Sequence, residues 1–92
     1  MSRRVVQAIA IADPLGIHAR PAAALAIAIA KSGARVTLRY GAKSADAKSL
    51  VQLLSLGAGP RSSITAEIEG DDDSSIEAAL AALKAHLASI PD

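Results

Sequence analysis

Two kinds of residue pattern alternate along this 92-residue chain, and their order limits the folds that it can adopt. Apolar and polar residues alternate strictly over Arg35–Tyr40, and they alternate again within residues 62–69, which is typical of half-buried strands. An alanine-rich stretch, Ala19–Ser32, and a final apolar stripe are instead typical of helices. The stripe consists of Ile76, Ala79, Leu80, Leu83, Leu87 and Ile90. Strands and helices therefore interleave, which predicts an α+β domain.

Three further segments complete the order. A first strand is expected over about residues 3–12, and the turn formers at residues 13–16 end it. After a turn at Gly41, Lys43–Asp46 is predicted to be a short partner strand, and residues 49–56 a short helix. The predicted order is strand, helix, strand, strand, helix, strand, helix, with an antiparallel sheet that helices cover on one face.

The helix ends are marked by residues with strong positional preferences. Pro21 is compatible with the first turn of the long helix, where its missing amide hydrogen has no partner in any case, and Gly33 is well placed to end that helix. In the final helix, the aspartates at residues 71–73 form an acidic start, and Ser74 with Glu77 predicts a capping box. The apolar stripe of this helix is expected to lie on the sheet.

Composition fits a single domain over residues 1–92 and argues against several classes of function. Without cysteine, the chain has no disulfides and no thiolate metal site. Ten basic and nine acidic residues with one aromatic side chain argue against nucleic acid as a partner. The longest apolar run, residues 21–30, is too short to cross a bilayer, and the start of the chain is interpreted as mature protein. We expect a cytoplasmic monomer.

The junction from Gly16 to Pro21, where a strand gives way to a helix, favours binding of an anion. The first amides of a helix have no intrahelical acceptor, and the helix dipole adds positive charge there. His18 carries an imidazole that can accept a phosphoryl group, and Arg20 supplies a guanidinium for its oxygens. This predicts a phosphoryl carrier. The alternative is that His18 caps the helix or is a buried structural residue, with Arg20 as an ordinary surface charge.

Two short motifs stand out in the chain. One is residues 16–22, Gly-Ile-His-Ala-Arg-Pro-Ala, and the other is Lys48, Ser49 and Leu50 with Leu56 and Gly57. They resemble the phosphorylation-site motif and the second signature of HPr, the histidine-containing phosphocarrier family of the bacterial phosphoenolpyruvate-dependent sugar phosphotransferase system. The resemblance covers essentially the whole chain. It implies an open-faced sandwich in which a four-stranded antiparallel sheet of order 1-4-2-3 carries three helices on one face.

The resemblance also implies a role for the site residues. His18 is expected to receive a phosphoryl group on Nδ1 from phosphorylated enzyme I and to pass it to a histidine of a sugar-specific enzyme IIA. The backbone amides of Ala19 and Arg20 and the Arg20 side chain would hold the phosphate. The protein would be a carrier rather than a stand-alone enzyme, and no cofactor is expected.

Partner recognition is expected to involve the first helix and the short helix. The chain has no phenylalanine, so it lacks an aromatic residue that many relatives carry on the first helix. The expected partner surface consists of Ala23, Ala24, Ile27, Leu50, Val51 and Leu54. In place of that aromatic, the partner-facing side of the first helix offers Ala23, Ala24 and Ile27.

Ser49 has two interpretations that are compatible with each other. Residues 49–52 form a capping box of their own, which would satisfy amides at the start of the short helix. In some members of the family the corresponding serine is phosphorylated by HPr kinase/phosphorylase, and the product binds a catabolite-control regulator. A dianion beside the exposed Val51 and Leu54 would impede docking to enzyme I by repulsion and desolvation.

Other interpretations of the chain stay open at this point. It resembles an HPr-like domain of a dihydroxyacetone or fructose multiphosphoryl system as well as a free carrier. In a different class, it would be a regulatory or ligand-binding module in which His18 is structural.

His86, near the end of the last helix, is interpreted as a solvated structural cation. The aspartates at residues 71–73 lack the alternate spacing of a calcium loop, so no metal site is expected.

Overall fold

A computed structural model describes residues 3–12 and 16–89 of the chain. The secondary-structure elements are β1 (Arg3–Ile11), α1 (Ala19–Ser32), β2 (Arg35–Tyr40), β3 (Lys43–Asp46), α2 (Leu50–Ser55), β4 (Ser63–Gly70), α3 (Asp73–His86) and β5 (Ala88–Ser89). The predicted order of four strands and three helices is confirmed. The two-residue strand β5 is an addition to that order, because so short a segment has no periodicity to detect.

The strands form one antiparallel sheet in the order β3-β2-β4-β1-β5. The predicted order 1-4-2-3 is confirmed, and β5 extends the sheet beyond β1, with Ser89 opposite Ala10. Ile9 lies opposite Ile64, and Leu38 lies opposite Ala66. This register places the apolar residues of neighbouring strands on the same face, where the helices cover them.

The core lies between that face and the three helices. Leu25 and Ile29 of α1, Leu53 of α2 and Leu83 of α3 are fully buried, and they pack in one cluster with the inward side chains of the sheet. Among the described residues, no polar or charged side chain is buried. The stability of the fold therefore comes from conventional apolar packing, as the absence of cysteine implies.

The opposite face of the sheet carries a charged network. Arg39 Nε lies 2.9 Å from Glu67 Oε2, and a guanidinium nitrogen of Arg4 lies 3.1 Å from the same oxygen. The hydrogen bond from Arg39 lowers the pKa of Glu67, and the charges of Arg39 and Arg4 act in the same direction. Reciprocally, Glu67 raises the pKa of Arg39. This face of the sheet therefore carries ion pairs at the surface, and the helices lie on the other face.

Most element ends agree with the sequence prediction to within one residue. The bounds of α1 are those predicted, and Gly33 ends it in the left-handed conformation at φ +80°. The first strand ends at Ile11 instead of Ala12, and the fourth is displaced by one residue, which is the usual uncertainty of such boundaries. Residues 13–15 of the predicted break and the predicted apolar position Ile90 lie outside the described residues.

The start of the final helix differs from the prediction. Asp72 is the N-cap, and its carboxylate accepts hydrogen bonds from the Ser75 amide at 2.8 Å and from the Ser74 hydroxyl at 2.9 Å. The predicted capping box of Ser74 and Glu77 is therefore wrong, because the cap lies two residues earlier. The helix ends at His86, so the buried Leu87 of the predicted stripe is its C-cap. No described helix is long and apolar enough to cross a membrane.

Candidate phosphoryl-transfer site

His18 occupies the N-cap of α1. Its backbone is extended, at φ −135° and ψ 172°, and its carbonyl oxygen accepts the first helical hydrogen bond from the Ala22 amide at 3.0 Å. The imidazole makes no capping hydrogen bond to the helix and is half-buried. His18 is therefore neither a side-chain cap nor a buried core residue, and its ring lies at the surface beside the helix start.

Few backbone amides at the start of α1 can donate hydrogen bonds to a ligand, and those that can belong to the residues directly after His18. The third residue of the helix is Pro21, which has no amide hydrogen, and the Ala22 amide is bonded to the His18 carbonyl. The amides of Ala19 and Arg20 belong to the first turn, where a helix has no acceptor for them. With the positive end of the helix dipole and the exposed Arg20 side chain, this arrangement suits a phosphate.

The segment before His18 is held against the loop that precedes β4. Gly16 has φ +74°, and a Cβ at this position would lie 2.7 Å from the carbonyl oxygen of Ala58 and 2.9 Å from Cα of Gly59. The amide of Ile17 donates to that same carbonyl of Ala58 at 3.2 Å. Only glycine fits this approach of two backbones, so Gly16 sets the path by which the chain reaches the helix.

His18 also faces the end of the last helix. An open groove of about 510 Å³ is lined by His18, Arg20, Pro21, Ala24, Ala85 and His86. It lies between the start of α1 and the end of α3. A smaller cavity of about 270 Å³ lies at the other end of α1, beside Gly33 and Arg35, and includes none of the predicted site residues.

His86 lines the same groove as His18, a neighbourhood that the sequence interpretation does not anticipate. The sequence predicts a solvated structural cation, whereas His86 is half-buried and lines the groove together with His18. The sequence shows that His86 lies near the end of a helix, but it does not show which other element packs against that end. Only the packing of α3 against α1 brings the two imidazoles to one groove.

Ser49 is the N-cap of α2, as predicted. Its hydroxyl oxygen accepts a hydrogen bond from the Gln52 amide at 3.2 Å. The second half of the predicted capping box is not formed, because the Gln52 side chain accepts from the Asp46 amide at 2.8 Å, and the Ser49 amide donates to the Asp46 carbonyl at 2.9 Å. Ser49 is thus a half-buried cap at the junction of β3 and α2.

The predicted partner surface combines four exposed apolar side chains and two half-buried alanines on two helices that contact each other. Ile27 of α1 is 59% exposed, and Val51 of α2 is 74% exposed. Leu50 and Leu54 are also exposed, while Ala23 and Ala24 are half-buried. α1 packs against α2, and we call these six predicted residues the helical apolar surface. Exposed apolar side chains grouped in this way are typical of interaction sites.

The acidic residues at the start of α3 contribute to the stability of the helix. Asp72 caps the helix, and Asp73 forms an ion pair with Arg3 of β1. Within residues 3–12 and 16–89, no group of three or more histidine, aspartate or glutamate side chains is arranged to hold a metal ion.

Comparison with known proteins decides the family. The sequence-family model named for the phosphorylation site of the HPr component of the phosphotransferase system (PTS) matches residues 5–89 of this chain. The chain belongs to the HPr family. HPr is a phosphocarrier of the phosphotransferase system, so the resemblance noted in the two sequence motifs is confirmed.

Solved HPr structures have the same fold. The histidine-containing phosphocarrier protein of Mycoplasma is 26% identical, superposes with a TM-score of 0.80, and the match covers 92% of this chain and 99% of that one. Phosphocarrier protein HPr of Bacillus anthracis is 28% identical at a TM-score of 0.77, with 91% and 96% of the two chains covered. The predicted HPr-like sheet and its helices are therefore confirmed.

A second kind of relative is much longer. Over 62 residues, or 67% of this chain, the sequence is 48% identical to a multiphosphoryl transfer protein of Xanthomonas campestris pv. campestris. The matched segment makes up 7% of that protein. The HPr fold therefore occurs both as a separate small protein and within a larger one among the relatives of this chain.

Proposed function

We propose that this HPr-family chain accepts a phosphoryl group on Nδ1 of His18 from phosphorylated enzyme I and passes it to a histidine of an enzyme IIA. The observation that carries the proposal is the position of His18 at the N-cap of α1, directly before the Ala19 and Arg20 amides. The HPr family implies partners of the phosphotransferase system in general, and enzyme I and enzyme IIA are the specific partners proposed.

The chemistry exchanges one phosphorus–nitrogen bond for another. Nδ1 of neutral His18 forms a bond to phosphorus while the bond from phosphorus to the donor imidazole of enzyme I breaks, and the electron pair of that bond returns to the donor nitrogen. The proton that leaves Nε2 of His18 is balanced by the proton that the donor imidazole takes up. In the second step His18 is the leaving group, and the acceptor is a histidine of enzyme IIA.

The surroundings of His18 suit a group that is held briefly. The amides of Ala19 and Arg20 and the guanidinium of Arg20 donate hydrogen bonds to the phosphoryl oxygens in this proposal. Arg20 is exposed, and the groove is open to solvent. Contacts in such a setting are weaker than in a closed pocket, which favours a carrier that must release its phosphoryl group to a second partner.

The helical apolar surface is the proposed docking site for both partners. It adjoins the start of α1, and its residues are uncharged, so burial of apolar area would supply most of the association energy. An acceptor enzyme that covers this surface would bring its own histidine to His18. The same proposal includes a monomeric carrier in the cytoplasm, where phosphoenolpyruvate is available to enzyme I.

A second candidate is the same chemistry within a larger protein. The similarity to the Xanthomonas multiphosphoryl transfer protein favours an HPr-like domain of a multiphosphoryl system, such as one that serves fructose or dihydroxyacetone. Transfer assays with separate enzyme IIA proteins and with the fused IIA domains of such a system distinguish the two candidates. The IIA protein or domain to which this chain transfers its phosphoryl group faster is assigned as its physiological acceptor.

Ser49 is a proposed site of regulatory phosphorylation by an HPr kinase/phosphorylase. It caps α2, the helix that carries Leu50, Val51 and Leu54 of the helical apolar surface. A phosphate there would add negative charge next to an apolar docking surface. Mass spectrometry after incubation with such a kinase and ATP should locate one phosphate on Ser49, and a Ser49→Ala variant should take none. Phosphate on another residue would contradict the proposal.

The test of the carrier function is transfer of label from phosphoenolpyruvate through enzyme I. The wild-type chain should become labelled and should lose its label when enzyme IIA is added. His18→Gln should take no label, although its fold is intact by circular dichroism. Lys31→Gln, an exposed position at the far end of α1, should behave like the wild type. The chain has a second histidine, His86. Label that persists in His18→Gln would show that another residue accepts the phosphoryl group, and it would contradict the proposal.

A further inference from the structure

A second imidazole lies beside the proposed phosphoryl acceptor. His86 is the last residue of α3, is half-buried, and lines the same groove as His18 and Arg20. The groove has a volume of about 510 Å³, many times the ~30 Å³ that one water molecule occupies in the liquid. It therefore has room for a phosphoryl group between the two helices, together with water.

The described lining of this groove contains positive or protonatable groups and no carboxylate. On the α1 side these groups are Arg20 and the imidazole of His18, and on the α3 side His86 itself. Lys31, the other charged residue of α1, is in the last turn of that helix, and Lys84 of α3 does not line the groove. An anion in the groove would therefore meet donors from two helices.

The end of α3 favours a protonated imidazole. The last carbonyl groups of a helix carry partial negative charge, so a cation in the last turn is stabilised there. Histidine changes its charge near neutral pH, with a reference pKa of about 6.5 in peptides. A phosphoryl group on His18 would add ≈ −1.5 to −2 charges to the groove. That charge favours the protonated form of a neighbouring imidazole.

We propose that His86 is a further phosphate-binding residue, whose protonated imidazole donates a hydrogen bond to the phosphoryl group carried on His18. This inference rests on the proposed function, because it requires phosphorylation of His18. Phosphorylation is then coupled to uptake of a proton by His86, and the phosphorylated chain is more stable at pH 6 than at pH 8 relative to a chain without this imidazole. The extra contact comes from α3, whereas the other proposed phosphate contacts come from the start of α1.

The experiment measures the fraction of phosphorylated chain at equilibrium with enzyme I and a fixed ratio of phosphoenolpyruvate to pyruvate, between pH 6 and pH 8. Wild type is compared with His86→Gln, which is neutral, and with His86→Lys, which is charged throughout. Lys84→Gln is the matched control, because it removes a cation from the same helical turn outside the groove. Urea unfolding of each variant checks that the fold is retained.

At pH 6 we expect the equilibrium constant for phosphorylation of the wild type to exceed that of His86→Gln by about fivefold, and at pH 8 the two should be equal. His86→Lys should keep the advantage at both pH values, and Lys84→Gln should follow the wild type.

Two results overturn the inference in different ways. If the wild type is phosphorylated on His18 and His86→Gln has the same equilibrium constant at every pH, the role of His86 is wrong while the carrier function stands. If enzyme I does not phosphorylate His18 in the wild type at all, both the carrier function and the role of His86 are wrong.

Discussion

At the scale of single residues, the site depends on a glycine that takes no part in the chemistry. Gly16 has φ +74°, and its missing side chain allows the backbone to approach Ala58 and Gly59. The Ile17 amide, which donates to the Ala58 carbonyl, holds this approach in place. His18 follows directly, so a shift of the Gly16 backbone would displace the imidazole from the start of α1.

Gly16→Ala should therefore destabilise the fold more than a glycine replacement in open space. We expect a loss of about 2–4 kcal/mol in the free energy of unfolding, from the positive φ and from the clash with the Ala58 carbonyl. Gly41→Ala is the matched control, because Gly41 has φ +60° and a Cβ there would extend into open space. It should lose only about 1–2 kcal/mol. Equal losses in urea unfolding would show that the backbone contact at Gly16 is not tight.

Arg20 tests the geometry of the phosphate contacts. Its side chain is exposed, so Arg20→Ala should leave the free energy of unfolding nearly unchanged. The rate of phosphoryl transfer from enzyme I should fall by about tenfold, because one charge-assisted donor is lost. Arg20→Lys should restore part of the rate, since it keeps the charge but loses the planar pair of donors. Rapid-quench kinetics measure this, and a rate for Arg20→Ala equal to that of the wild type would exclude a role for Arg20.

At the scale of elements, local sequence signals predict most of the structure. Strict alternation identifies β2 and β4, and the bounds of α1 follow from an alanine-rich stretch that Gly33 ends. The start of α3 is harder to predict, because aspartate and serine are equally good N-caps and both occur there. The structure uses Asp72, and Ser74 donates to it. A choice between adjacent cap residues is decided by the path of the chain from β4, which the sequence does not show.

This cap predicts how stability depends on pH. The Ser75 amide is the largest cause of a lowered pKa of Asp72, and the hydroxyls of Ser75 and Ser74 act in the same direction. A carboxyl whose pKa is lower in the folded state stabilises the fold above its unfolded pKa of about 3.9. The stabilisation by the Asp72 carboxylate is lost as the pH falls through the pKa of this group in the folded state.

Asp72→Asn separates this titration from the hydrogen bonds of the cap. Asparagine caps helices well but does not titrate, so the variant should lose less stability than the wild type as pH falls below about 4. Asp71→Asn, one residue before the cap, should follow the wild-type pH profile. Urea unfolding between pH 3 and pH 7 measures both. Parallel profiles for the wild type and Asp72→Asn would contradict a contribution from this carboxylate.

At the scale of the whole molecule, the fold brings together groups that the sequence keeps apart. His18, Ala19 and Arg20 are neighbours in the chain, so their juxtaposition can be predicted from a motif. His86 cannot be assigned in this way, because its place in the groove depends on the packing of α3 on α1. The helical apolar surface is an intermediate case. Ile27 and Val51 are predicted to belong to it, but their common location depends on the contact between α1 and α2.

The two sides of the molecule should therefore differ in partner binding. Val51→Asp would place a charge in the helical apolar surface, and we expect it to weaken binding of enzyme I by about tenfold or more. Val6→Asp is the matched control, because Val6 is 60% exposed on the opposite, uncovered face of the sheet. It should leave the affinity unchanged. Isothermal titration calorimetry with enzyme I measures both variants, and equal weakening by Val6→Asp would argue against docking through the helices.

In the proposed transfer, one ring nitrogen of His18 carries the phosphoryl group. The most direct measurement is NMR of the ¹⁵N-labelled chain after reaction with enzyme I and phosphoenolpyruvate, observing which imidazole nitrogen couples to phosphorus. We predict a single phosphorus-coupled nitrogen, Nδ1 of His18, with the ring of His86 free of covalent phosphorus. Phosphorus bonded to His86, to a hydroxyl oxygen or to no residue of the chain would exclude His18 as the phosphoryl acceptor.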